Sequence, residues 1–282
     1  MVDLAAAAGF PGLRPQGDAM TCPPPDGTAP GARNPALRPY IASLASEQPE
    51  PARLTVRWDG SLGYADERDD DRDSEGGLWV RMPEHPDPGA DGKVENWRPH
   101  PRRQRHLMRE LLCQICAGPP ARDASEAWLF VLRDGPESPS DQDDDWTKDL
   151  LEATPPVCLH GASISAERCP RLSSVVALWV RRPILHGIYG AVYGLGPHGI
   201  ERRGRGIAEY EKPGLAWTVG TQMVRDLQGA RIDWELTEEL RSLHATAWSA
   251  PSPRRALGSP TCPVTDLDTA GSHGLTVTGG RS

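Results

Sequence analysis

Leu112-Cys-Gln-Ile-Cys-Ala-Gly-Pro-Pro120 and, further along, Pro155-Pro-Val-Cys-Leu-His-Gly161 are the two stretches that decide the fold. Cys113 and Cys116 form a C-x2-C pair, and Cys158 follows 42 residues after Cys116. A C-x2-C turn is the commonest zinc knuckle, because both thiolates can reach one tetrahedral ion at about 2.3 Å. Gly118 and the prolines after it suit a tight turn. Between the two stretches, Trp128-Leu-Phe-Val-Leu132 is a continuous apolar run of strand length and predicts a central strand. From Cys158 to Cys169, the residues Ala162, Ser165, Ala166 and Cys169 share one face at helical spacing, and Pro170 ends that helix.

Knuckle, strand, long loop and a cysteine at a helix start is the order of a treble-clef zinc site. The dipole of a helix N-terminus also favours a thiolate there. A standard site wants Cys or His at position 161, where this chain has Gly161. Cys169 lies eleven residues beyond Cys158, about 16 Å along a helix axis, too far to share its ion. The expected ligand set is therefore Cys113, Cys116, Cys158 and His160, with a three-ligand or lost site as the alternative. Cys169 reads as a core residue, since free cysteines behave as small hydrophobes.

Arg102-Arg-Gln-Arg105, the C-x2-C with its double proline, Trp128-Leu-Phe130, Pro155-Pro-Val-Cys158 and Arg168-Cys-Pro-Arg-Leu172 together resemble a group of uncharacterised actinobacterial proteins. The resemblance spans about residues 52 to 235. That group carries a second C-x2-C or C-x2-H after the double proline and a later Cys-Pro. The resemblance implies a metal site and carries no activity with it.

The chain has 282 residues with 29 Gly and 29 Pro, and only 38% hydrophobic residues. Such a composition excludes a chain folded throughout, and no run approaches the ~18 apolar residues of a spanning helix. Residues 1–51 hold ten Pro and five Gly; residues 249–282 are similar in style. Both predict disordered tails, because they bury too little apolar surface to offset chain entropy. A folded α+β domain, mainly antiparallel strands with a few short helices, is expected over 52–248. The zinc-knuckle segment occupies 111–172 of it. The first residues lack the basic stretch of a signal peptide, which points to a cytoplasmic protein with reduced thiols. A structural zinc ion is the expected cofactor.

Elsewhere, Leu54-Thr-Val-Arg-Trp58 and Leu62-Gly-Tyr64 predict a hairpin around Asp59-Gly60. Leu78 to Met82 and Ser174 to Val180 predict strands, and residues 83–99 a loop. The acidic stretch Asp66 to Glu75 predicts a solvated loop, since it lacks the EF-hand pattern. Arg102 to Leu112 and Glu235 to His244 predict helices, and Ile184 to Leu195 a further β-prone stretch. Val219, Met223, Val224 and Leu227 have helical spacing and predict a helix over 217–227. Gly194-Leu-Gly-Pro-His-Gly199 matches a dinucleotide-binding pattern, but no helix follows, so a glycine-rich turn between strands is expected.

The function these features favour is a binding or regulatory module with an unspecified protein partner. The net charge of −8 opposes a general nucleic-acid coat. A nucleic-acid reader using Arg102–Arg109 and Arg202–Arg205 is one alternative. It requires the two clusters to share a face. An HNH-like treble-clef nuclease is the other, and the absence of His from residues 117–157 counts against it.

Overall fold

Val176-Ala-Leu-Trp-Val180 and the glycine-spaced stretch after Pro183 form one uninterrupted strand of 21 residues. The structure is a computed structural model describing residues 39–85, 93–133, 135–139, 146–169 and 172–249. In chain order its elements are β1 (Ala42–Leu44), β2 (Leu54–Val56), β3 (Leu62–Tyr64), β4 (Leu78–Trp79), β5 (Val94–Pro99) and α1 (Pro101–Glu110). Then come β6 (Trp128–Leu132), β7 (Leu151–Glu152), α2 (Leu159–Arg168), β8 (Val176–Gly196) and β9 (Gly199–Glu209). A short 3-10 turn (Pro213–Trp217), β10 (Thr218–Ile232) and α3 (Trp234–Ser249) complete the order. The α+β class with mostly antiparallel strands is as expected.

The main sheet runs β4-β10-β8-β6, with β7 added to β10 and β9 to β8. Among its pairings only β4 with β10 is parallel. Strand β8 pairs with β6 through residues 176–180 and with β9 through residues 187–196, so one long strand organises both ends of the sheet. Trp128–Leu132 is thus an edge strand, not a central one. It still reads as a continuous apolar run because both of its faces are covered. Leu129 and Val131 pack with Ala177, Trp179, α2 and Leu240 of α3. Phe130 and Leu132 pack on the opposite side with Val176, Leu178, Val180 and Leu227.

Residues 217–227, expected to be helical, belong mostly to β10. Register shifts fall between Gly220 and Gln222 and between Val224 and Arg225. The first leaves Thr221 as the extra residue on β10 and breaks its twofold alternation, while the second leaves His186 extra on β8; with Met223 and Val224 buried in different clusters, the apolar spacing mimics a helix. The glycines of β8 mark close backbone approach. A Cβ on Gly190 would lie 2.0 Å from the Val219 carbonyl oxygen of β10. Gly190→Ala is therefore expected to destabilise the domain by about 1–3 kcal/mol, the usual cost of overpacking. A urea titration reads this as a lower midpoint at unchanged slope. The Gly194–Gly199 stretch is the tight turn joining β8 to β9.

One further expectation is corrected, and another is refined. Defined structure is present from residue 39, within the stretch 1–51 expected to be a tail. β1, with all three residues buried, pairs with β5, which itself lies inside the expected loop 83–99. Residues 1–38 and 250–282, the rest of the expected tails, lie outside the described residues. Asp66–Glu75 is a largely exposed loop, as expected, but it is pinned at particular carboxylates. Arg81 donates from Nε and Nη2 to Asp71 at 2.8 and 2.7 Å, and from Nη1 to Asp66 at 3.0 Å. Asp73 accepts from the Gly77 N–H, the Trp79 indole and the Tyr210 hydroxyl. Asp71 is 3% exposed. The carboxylates form a clip against β4, with partners too distant in sequence to be foreseen.

Helix α1 is the predicted Arg102 segment, opened by Pro101 and closed by Leu111 in the left-handed region. Arg225 of β10 donates to the Met108 and Arg109 carbonyls, placing a cation on the negative end of the helix. Burial, and Arg109 nearby, bring its guanidinium down to about 10. Helix α3 begins at Trp234, where Asp233 accepts the Leu236 N–H and also the Trp179 indole N–H.

Candidate metal centre

The knuckle is built by backbone hydrogen bonds. Cys113 N–H donates to Gly118 O at 2.8 Å, and Ala117 N–H donates to Cys113 O at 2.8 Å. Ala117 sits at φ 55°, a left-handed conformation costing an L-residue roughly 1–2 kcal/mol. The turn is then laced to the chain before α2. Gln114 N–H donates to Pro156 O, Ala121 N–H to Val157 O, and Val157 N–H to Leu129 O. The double proline at 155–156 keeps this segment extended. Cys158 becomes the N-cap of α2 directly beside the knuckle.

Three sulfurs meet there. Cys113 Sγ lies 3.6 Å from Cys158 Sγ, and Cys116 Sγ lies 3.9 Å from it. All three fall within 4.8 Å of one another and could hold a metal ion. A tetrahedral ion with bonds of about 2.3 Å holds its sulfurs about 3.8 Å apart, so the separations fit such a centre. None of the three cysteines is in a disulfide. Cys113 is fully buried, while Cys116 and Cys158 are half-buried. Two amides point at sulfur: Cys158 N–H donates to Cys113 Sγ at 3.3 Å and Gly161 N–H to Cys158 Sγ at 3.2 Å. Such donors favour the thiolate form. The Cys158 sulfur against it, and burial, push the Cys113 thiol far above the ordinary range. Three thiolates this close repel one another unless a cation lies between them.

Of the expected ligands, Cys113, Cys116 and Cys158 come together. His160 lies on the exposed side of the first turn of α2, outside the group of three. Gly161 packs its Cα against the cluster; a Cβ there would stand 3.2 Å from Cys113 Sγ and 3.0 Å from Val157 Cγ2. Cys169 caps the far end of α2 in the core, 2% exposed. Cys22 and Cys262 lie outside the described residues.

Three arginines of the two clusters are held in ion pairs. Arg103 pairs with Glu47 at 2.6 Å, Arg109 with Glu75 at 2.5 Å and Arg203 with Glu201 at 3.4 Å. Among the described residues no helix is long and apolar enough to cross a membrane. No protein-family model, curated protein or solved structure matches the chain.

Proposed function

We propose that Cys113, Cys116 and Cys158 bind one structural zinc ion in a treble-clef-like arrangement, within a domain that acts as a binding or regulatory module. The observation that carries this reading is the convergence of three sulfurs, with Cys113 and Cys116 at 3.6 and 3.9 Å from Cys158. A thiolate-rich tetrahedral set favours zinc over harder cations. The position supports a structural role. The ion would tie the knuckle to the N-cap of α2, and Cys113 and Ile115 belong to the same apolar cluster as Leu129, Ala162 and Trp179. His160 is proposed as the fourth ligand, its ring turning in from the helix rim, with solvent as the alternative occupant. A cytoplasmic setting that keeps thiols reduced goes with this proposal, as does membership of the actinobacterial group bearing the same cysteine pattern.

Cobalt substitution tests it. One equivalent of Co(II) is expected to give thiolate-to-metal charge-transfer absorption, abolished in Cys113→Ala and preserved in Cys169→Ala. His160→Ala is expected to alter the visible ligand-field bands while leaving the thiolate absorption. Absence of charge-transfer absorption in the wild-type chain would refute the site.

A further inference from the structure

A second site lies well apart in sequence from the cysteines, where the acidic clip meets the start of α1. A cleft of about 180 Å³ opens there, with Trp79, Met82, Pro83 and Pro101 in its walls. That volume is several times the ~30 Å³ share of one water and below the size of a drug-like pocket. Four arginines also line it, against three carboxylates.

The charges are unequally satisfied. Arg81 is locked on Asp71 and Asp66. Arg68 pairs with Glu50 at 3.0 Å. Arg102 touches Asp70 only loosely, at 3.8 Å, and both side chains are about 60% exposed. Among the described residues Arg105 has no carboxylate at ion-pair distance. Its guanidinium carbon lies 5.0 Å over the Trp79 ring, and its Nη1 is buried with no hydrogen-bond acceptor among the described residues. Burial, with Arg102 and Arg109 on the same helix, depresses its pKa against the pull of Asp73 and Asp70. A half-dehydrated cation without a direct ion-pair partner is costly to keep. Stacking on an indole offsets only part of that.

We propose that this cleft binds a phosphate group, with Arg105 as its central cation and Arg102 and Arg68 at the rim. Guanidinium groups match phosphate oxygens in forked pairs, and the water-poor wall strengthens each contact. The cleft is sized for a single small anion, unlike the extended basic track that binds nucleic acid. The ligand is either free phosphate or the phosphate of a modified side chain. Asp70 opposes the incoming charge and sets the affinity.

The test is calorimetric titration of the full chain with inorganic phosphate and, separately, with O-phosphoserine, at constant ionic strength set with chloride. Saturable binding of one equivalent is expected. Arg105→Gln is expected to weaken it at least tenfold, as loss of a charge-assisted contact does. Arg102→Gln, at an exposed position, should weaken it severalfold. Asp70→Asn, also exposed, should tighten it severalfold. Binding of both probes, or of O-phosphoserine alone, supports the site, the second outcome pointing to a modified side chain. No saturable heat with either probe overturns it, as does unchanged affinity in Arg102→Gln and Asp70→Asn should Arg105→Gln fail to fold.

Discussion

Cys113→Ala is expected to remove metal binding and lower the melting temperature by more than about 10 °C. Structural zinc in small domains contributes an apparent ~10–16 kcal/mol to folding, comparable with a whole domain's stability. Losing even a third of it shifts a domain of this size by roughly 10–20 °C. The fully buried thiol also leaves a small void, so a control is needed. Cys169 supplies it: equally buried, in the same apolar cluster, and outside the sulfur group. Cys169→Ala should cost only about 1–2 kcal/mol, the packing part, and keep the metal. Differential scanning calorimetry of both variants, with and without a chelator, separates the contributions. Wild type plus chelator should resemble Cys113→Ala, whereas the chelator should leave Cys113→Ala unmoved.

The second large effect is expected at Glu47, which holds β1 to α1. Arg103 donates to both Glu47 oxygens, at 2.9 and 2.6 Å, and to Ala42 O at 2.7 Å. The backbone N–H groups of Leu44 and His85 complete the carboxylate's shell. Glu47 is 2% exposed and Arg103 5%. Glu47→Ala strands a buried guanidinium and should cost about 3–5 kcal/mol. Glu47→Leu combined with Arg103→Met removes both charges and is expected to recover most of that loss.

Acid titration gives an independent reading of the pair. Burial alone pushes the Glu47 carboxyl up. Arg103 and the two amides outweigh it and bring the group down to about 2. A carboxyl depressed on folding adds stability above its unfolded value of ~4.5. That stability is lost as pH falls from there through about 2. Urea unfolding between pH 5 and 2 should therefore fall more steeply for wild type than for Glu47→Gln. Parallel slopes would contradict the depressed value.

Much of the candidate site was legible because its determinants are local. The C-x2-C turn, the extended double proline and Cys158 at a helix start each act within a few residues. Helices α1 and α2 likewise carried their own period and stop signals. The misread parts depend on distant partners. Strand β10 resembled a helix because a bulge at Thr221 broke its alternation and its apolar residues are buried in more than one cluster. β1 lay in proline-rich surroundings, and its order comes from β5 and the Glu47–Arg103 pair. The pinning of the acidic loop was hidden because Arg81, Arg109 and Tyr210, which hold its carboxylates, are spread along the chain. Position 161 shows the same limit. Its glycine signalled a missing ligand, while the structure adds that the glycine backbone packs on the buried sulfur.

Native mass spectrometry of the full chain tests the central claim most directly. The expected mass is that of one polypeptide plus one zinc ion, with the zinc absent from Cys113→Ala and present in Cys169→Ala. A metal-free wild-type chain, as heat-stable as its chelator-treated form, would contradict the account.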